Sequence, residues 1–113
     1  MTIDCAHANF IDTAPCVSPP NGSTNAVGSE SPAGDGKWGQ ADLAGNAWEW
    51  MLDYYDAYGG PITNAADLTP NQFRVIRGGA FDYHDTNLLT SFRYDFDPTT
   101  RNSDQGVRCA RAP

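Results

Sequence analysis

The stretch Asp42-Leu43-Ala44-Gly45-Asn46-Ala47-Trp48-Glu49-Trp50 constrains the fold more than any other part of the chain. From Asn46 onward the residues alternate: Ala47, Glu49 and Met51 fall on one side, Trp48, Trp50 and Leu52 on the other. A period of two is that of a strand with one large apolar face. A helix is the rival reading, because Trp48, Met51, Leu52 and Tyr55 also share a helical face. The strand is preferred, since Gly45-Asn46 is turn chemistry directly before it and aromatic residues favour strands. This reading places Trp48 and Trp50 in or near the core, with Leu52 on the same face.

Two acids, Asp42 and Glu49, bracket the Gly-Asn turn. A hard cation such as calcium takes several oxygens, often mixing carboxylates with backbone carbonyls that a glycine lets turn inward. Asp42 and Glu49 would supply charge, and the carbonyls of Gly45 and Ala47 would complete the shell. Two solvated surface acids are the plainer alternative.

Gly39-Gln40-Ala41-Asp42-Leu43-Ala44-Gly45-Asn46-Ala47-Trp48-Glu49-Trp50 resembles the GLxDMxGNVWEW signature of the formylglycine-generating enzyme (sulfatase-modifying factor) family. Arg74-Val75-Ile76-Arg77-Gly78-Gly79-Ala80-Phe81 resembles its RVxRGGSF segment, and Gly106-Val107-Arg108-Cys109-Ala110-Arg111 its closing GFRCAR. Three motifs stand in the family's order. The resemblance implies an α+β domain, mostly irregular with short antiparallel strands, of the C-type-lectin-like kind. It also implies that residues 1–113 are one domain matching the C-terminal part of a longer one, with 1–37 largely loop and 38–113 the motif-bearing core. Asp42, Gly45, Ala47 and Glu49 match the family's calcium ligands one by one. Ala8-Asn9-Phe10 resembles the segment that supplies an Asn side chain and the next carbonyl to a second calcium. The later acidic ligand of that second site has no clear counterpart between Cys16 and Asn25.

Composition excludes several other classes. The chain has 113 residues, 40% hydrophobic and 12% aromatic, which suits one globular domain with a modest core. Fourteen acids against seven bases give a net charge of -7, unsuited to nucleic acid. No apolar run approaches membrane-spanning length, so the chain reads as soluble. Residues 1–10 are too polar for a signal peptide; a secreted or cell-surface location would need a signal elsewhere. Pro19-Pro20-Asn21-Gly22 is a turn, and Asn21-Gly22-Ser23 is a glycosylation sequon.

Cys5 and Cys16 flank a short loop and would form a disulfide in an oxidising compartment; two reduced thiols are the alternative. In the resembled family the cysteine of the closing strand pairs with one in a part that this chain lacks. Cys109 is therefore expected to be a buried, unreactive thiol. Six of the seven basic residues, all arginines, fall between Arg74 and Arg111. They would either line an anion pocket or, as preferred, pair internally with the excess acids. Tyr54, Tyr55 and Tyr58 belong to a segment read as a surface loop with a rim of half-buried tyrosines. Further strands are expected around Phe73–Arg77, Phe92–Tyr94 and Gly106–Ala110, with Gly78-Gly79 allowing a close backbone approach.

The departure from the family lies just after Gly78-Gly79. Catalytic members bind copper through two cysteines there, in a GGSFxCHxSYC pattern. The first of these positions holds Tyr83 and the second Leu88, and neither supplies the thiolate that Cu(I) selects. His84 keeps the histidine position but alone reads as a surface or hydrogen-bonding residue. Copper is not expected.

The favoured reading is a calcium-stabilised, non-catalytic module that binds a protein or small molecule through a face in residues 82–97. The terminal layout is similar to that of variable proteins of diversity-generating retroelements, which bind diverse ligands. Asp82, Tyr83, His84, Asp85, Asn87, Ser91 and Tyr94 suit such a face, because tyrosine and asparagine make adaptable contacts. An enzyme with divergent or lost oxidase chemistry and a structural remnant without its own ligand are the alternatives.

Overall fold

In a computed structural model, residues 3–12, 16, 22–59 and 66–109 are described. The alternating stretch forms the longest strand, Trp48–Tyr54 (β1). Arg74–Arg77 (β2) pairs antiparallel with it, and Tyr94–Phe96 (β3) pairs antiparallel with β2. Gln105–Gly106 (β4) adds to the other edge of β1 in parallel, giving the order β3-β2-β1-β4. The sheet is therefore mixed. Asp85–Leu88 is a single 3-10 turn, and no helix or strand precedes Trp48 among the described residues.

The strands are shorter than the sequence suggests, or displaced along it. β3 begins at Tyr94 rather than Phe92, because Phe92 leaves the ladder to pack against Trp48. β4 ends at Gly106, so Val107 and Arg108 run outside the sheet. The turn expected at Pro19-Pro20-Asn21 and the sequon's Asn21 lie outside the described residues.

Two apolar clusters hold the sheet. Trp48, Ile76 and Ala80 are buried together, with Trp50, Tyr83, Phe92 and Phe96 packed around them. Ala8, Phe10 and Leu88 form the second, joined by Ile3, Cys16 and Ala44. Leu52 does not share the face of Trp48: Trp48 is 1% exposed and Leu52 65%. The cause is a bulge. Trp50 faces Ile76 and Tyr54 faces Arg74, so four steps along β1 match two along β2. The extra residues break the alternation and swing Leu52 out to solvent.

The N-terminal segment has little regular structure but is tied firmly at one point. Asn9 forms a parallel bridge with Gly45, and its carbonyl accepts the Asn46 N–H at 2.7 Å. Gly45 has φ +76, and a Cβ there would lie 2.3 Å from the Asn9 carbonyl oxygen. Only glycine tolerates both demands. A disulfide joins Cys5 to Cys16 across the same segment, closing the loop that carries Phe10 into the second cluster.

Gly45→Ala is expected to cost about 2–4 kcal/mol, from left-handed strain and a displaced Asn9 contact. Trp48→Ala is expected to cost about 3–5 kcal/mol, and Leu52→Ala less than about 0.5 kcal/mol. Urea unfolding measures all three. A Leu52→Ala loss equal to that of Trp48→Ala would mean that the apolar face runs the full length of β1.

Candidate functional site

Asp42, Gly45, Ala47 and Glu49 line one cavity of about 380 Å³, together with Val27, Gly106 and Arg108. The turn makes this convergence possible, since Asp42 has φ 54 and Asn46 φ 65. Small polar residues are the ones that visit this region. The Asp42 carboxylate accepts the Gly28 N–H at 2.9 Å. The Gly45 carbonyl accepts the Ala47 N–H at 2.9 Å. Glu49 is held by an internal cation. Arg108 Nε donates to both of its oxygens, at 2.8 and 3.0 Å, and Nη2 to one of them at 2.5 Å. The same Nη2 reaches the Asp42 backbone carbonyl at 3.0 Å. The hydrogen bond to Glu49 is the main reason that the guanidinium's pKa is raised above its ordinary value.

These donors fit a hard cation in kind, since all are oxygens and two are carboxylates. Arg108 already fills part of that role. No group of three or more His, Cys, Asp or Glu side chains converges on a metal position among the described residues.

The pair suggested for a second metal sits elsewhere. Asn9 is buried; its Nδ2 donates to the Ser23 carbonyl at 2.8 Å and to Asn46 Oδ1 at 3.3 Å. Its Oδ1 has no partner, while the Phe10 carbonyl accepts the Cys16 N–H at 3.0 Å. Asn9 therefore acts as a bracket between the N-terminal segment and the Gly45-Asn46 turn.

Residues 82–97 divide into two groups. Asp82, His84, Asp85, Ser91 and Tyr94 are exposed, and Asn87 is half-buried within the 3-10 turn. Tyr83 and Leu88 point inward instead. Tyr83 stands edge-on to Trp48 with ring centroids 5.1 Å apart, and Leu88 is buried against Ala8 and Phe10. Both positions that would carry thiolates in a catalytic relative are thus packing positions here. Burial, followed by the charges of Asp104 and Asp82, holds the Tyr83 phenol above its ordinary pKa. It is neutral at physiological pH.

Two expectations need correction. Among the described residues, Arg74, Arg77 and Arg93 do not pair with acids. Arg74 lies over the Tyr54 ring at 3.7 Å, and Arg93 over Tyr58 at 3.7 Å and Tyr55 at 4.8 Å. Arg77 donates to the carbonyls of Thr90 and Phe92 and to the Tyr58 hydroxyl. The tyrosine-rich segment supplies ring faces, and these satisfy guanidinium through the ring quadrupole. Cys109 is exposed and free rather than buried, because β4 stops three residues before it. Sequence reasoning also missed Asp104 and Gln105: Gln105 is the register partner of Trp48, and the Asp104 carbonyl accepts the Trp48 N–H at 2.8 Å. Their only sequence signal is their place just before Gly106.

The curled mixed sheet, with long irregular connections around it, defines a C-type-lectin-like domain. PvdO from Pseudomonas aeruginosa superposes on 92% of the chain with a TM-score of 0.75 at 24% identity. Treponema denticola variable protein 1 superposes on 90% with a TM-score of 0.72 at 23% identity. The sulfatase-modifying factor enzyme 1-like domain family matches residues 4–113, and the chain belongs to that family. It is similar to the formylglycine-generating enzyme of Streptomyces coelicolor, 34% identical over 102 residues, covering 78% of this chain and 29% of the enzyme. It is also similar to the serine/threonine-protein kinase Pkn1 of Chlamydia trachomatis, 34% identical over 116 residues, covering 96% of this chain and 17% of the kinase. Against these four proteins the chain spans between 17% and 38% of their length. No helix among the described residues is long and apolar enough to cross a membrane.

With Cys5 and Cys16 joined and Cys109 exposed, one thiol per chain is expected to react with a chromogenic disulfide reagent in the native state. Unfolding without reductant is expected to release no second thiol. Three reactive thiols in the air-exposed native protein would show that the Cys5–Cys16 bond does not form.

Proposed function

We propose that this chain is a non-catalytic, calcium-stabilised member of the sulfatase-modifying factor family that binds a protein or small-molecule ligand through residues 82–97. The observation that carries the reading is the packing of Tyr83 and Leu88. The two positions that would hold a reactive thiolate pair hold side chains committed to the two apolar clusters. Asp82, Asp85, Ser91 and Tyr94 remain presented to solvent around them. A fold shared with a protein named as a variable protein supports the same use of this face.

For calcium, Asp42 and Glu49 would give carboxylate oxygens and Gly45 and Ala47 carbonyl oxygens. A bound calcium ion would supply fixed positive charge between two acids that otherwise repel. Arg108 competes for the same charge, because its guanidinium grips both Glu49 oxygens. Removing that grip leaves Glu49 free for a metal.

Millimolar calcium is expected to raise Tm relative to excess chelator, by mass action on the folded state. Arg108→Gln is expected to lower the unliganded Tm and to tighten calcium binding about tenfold or more. Equal Tm values with calcium and with chelator, in both proteins, would remove calcium from the proposal. For the absence of family chemistry, the assay is copper(I), oxygen, a reductant and a Cys-x-Pro-x-Arg peptide, read by mass spectrometry. Aldehyde yield is expected to match the protein-free control, and a yield above it would restore an oxidase. For binding, capture of a partner from an immobilised peptide and glycan array is expected to be lost on Tyr94→Ala, in a protein that is still folded at the assay temperature by its melting curve. Capture that is indifferent to every substitution in 82–97 would place the binding face elsewhere.

A further inference from the structure

Glu49 and Arg77 are register partners on β1 and β2, on the side of the sheet away from Trp48. Opposite charges at directly opposed positions attract, yet these two form no ion pair. Both Glu49 oxygens accept from Arg108 instead. Arg77 Nη1 donates to the Thr90 and Phe92 carbonyls at 3.0 and 3.1 Å, and Nη2 to the Tyr58 hydroxyl at 3.0 Å. A guanidinium has five N–H groups. Three acceptors take at most three of them, so at least two have no partner among the described residues.

A cavity of about 270 Å³ opens at this point. Arg77, Thr90 and Phe92 all line it, so the guanidinium, bonded to the carbonyls of the other two, stands in its wall. Leu43, Met51, Leu88 and Leu89 make the cavity largely apolar, and Glu49 is the one acid in its lining among the described residues. Leu43 and Leu89 are 45% and 57% exposed, which leaves it reachable from solvent.

The wall selects the occupant. Three contacts fix the guanidinium, so its remaining donors are held in place before a ligand arrives. Arg108 already balances Glu49, and the Arg77 charge is left in excess. An amine therefore finds no free acid. A phosphate would set hydrophilic oxygens against the apolar side chains, and a wholly apolar ligand would bury guanidinium N–H groups without acceptors. A carboxylate supplies one negative charge and two acceptor oxygens in the spacing that a guanidinium matches. An apolar body behind it covers the leucines and Met51. At about 30 Å³ for each displaced water, the cavity takes roughly eight or nine non-hydrogen atoms.

We infer that this cavity is a binding site for a monocarboxylate on a short apolar body, with Arg77 holding the carboxylate. The source is a free branched-chain acid or the carboxyl-terminal residue of a partner chain, since the chemistry is shared. Leu88, Leu89, Thr90 and Phe92 belong to residues 82–97, so the inference rests on the binding-module reading and names a ligand class for it.

Met51 reports on the cavity, because it is one of only two methionines and its methyl signal is identified by its loss in Met51→Leu. The whole chain, ¹³C-labelled at the methionine methyls, is titrated under ¹H–¹³C NMR. The probes are sodium 4-methylpentanoate, 4-methylpentanamide, isopentylammonium chloride, and acetyl-Gly-Gly-Leu with a free or an amidated carboxyl terminus. Saturable shifts with 4-methylpentanoate or the free-acid peptide are expected, and the tighter of the two identifies the source. The two amides are expected to bind about tenfold more weakly or worse, and Arg77→Gln to weaken the acids by a similar factor. Leu89→Asp and Leu89→Lys, at an exposed position, are expected to weaken and to tighten acid binding respectively. This pair decides the question even where Arg77→Gln does not fold. Amides that bind as well as acids would mean a purely apolar cavity, and saturation by isopentylammonium would make Glu49 the charged partner. Either result, an absence of saturable shifts, or equal affinity in the two Leu89 variants would overturn the inference. Array capture that depends on Tyr94, without any carboxylate binding, would overturn the inference and leave the binding module standing. Carboxylate binding with no array partner would do the reverse.

Discussion

The backbone of Gly45 and Asn46 is where the separate parts of this domain are tied together. The Gly45 N–H donates to the Gly78 carbonyl at 2.8 Å, and the Asn46 N–H to the Asn9 carbonyl at 2.7 Å. The Asn46 carbonyl in turn accepts the Phe81 N–H at 3.1 Å. The Asn46 side-chain oxygen accepts the Asn25 N–H at 3.0 Å. Three segments that share no strand with one another, around Asn9, Asn25 and Gly78–Phe81, are thereby held at one turn. Both residues sit at positive φ, and the Asn9 backbone fills the space where a Cβ at Gly45 would stand. With so little regular structure, this chain satisfies its backbone polar groups through such local knots rather than long ladders.

That turn also positions both the cavity lining and the start of β1. It brings Asp42, Gly45, Ala47 and Glu49 to the lining of one cavity, and it starts β1 so that Trp48 enters the core. On the cavity side, Arg108 neutralises an acid from 59 residues away. On the Trp48 side, Asp82 and Asp104 have no such cation among the described residues. The protein carries a net charge of -7, yet three of its arginines rest on tyrosine rings or backbone carbonyls instead of acids. Negative charge is thus left without a side-chain cation in particular places among the described residues.

Tyr83 and Leu88 stand where the family resemblance expects two cysteines, and in this structure both are packing positions. Tyr83 closes the Trp48 cluster from one side, and Leu88 closes the cluster of Ala8 and Phe10. Asp82, Asp85, Ser91 and Tyr94 remain exposed around these two packed side chains.

The sequence alone determined what depends on near neighbours. The alternation after Asn46, the Gly-Asn turn, the three motifs in order and the Tyr83 and Leu88 replacements all follow from residue type and short spacing. The positions of β1 and β2 and the burial of Trp48 follow in the same way. Tertiary structure decided which distant groups meet. The bulge that exposes Leu52 exists only when β1 lies against β2. Arg108 finds Glu49, and Gln105 lies beside Trp48, only because a two-residue strand docks in parallel on the far edge of the sheet. Cys109 is exposed because that strand is so short. A strand of two residues has no period to read, and parallel pairing across more than fifty residues has no local turn to announce it.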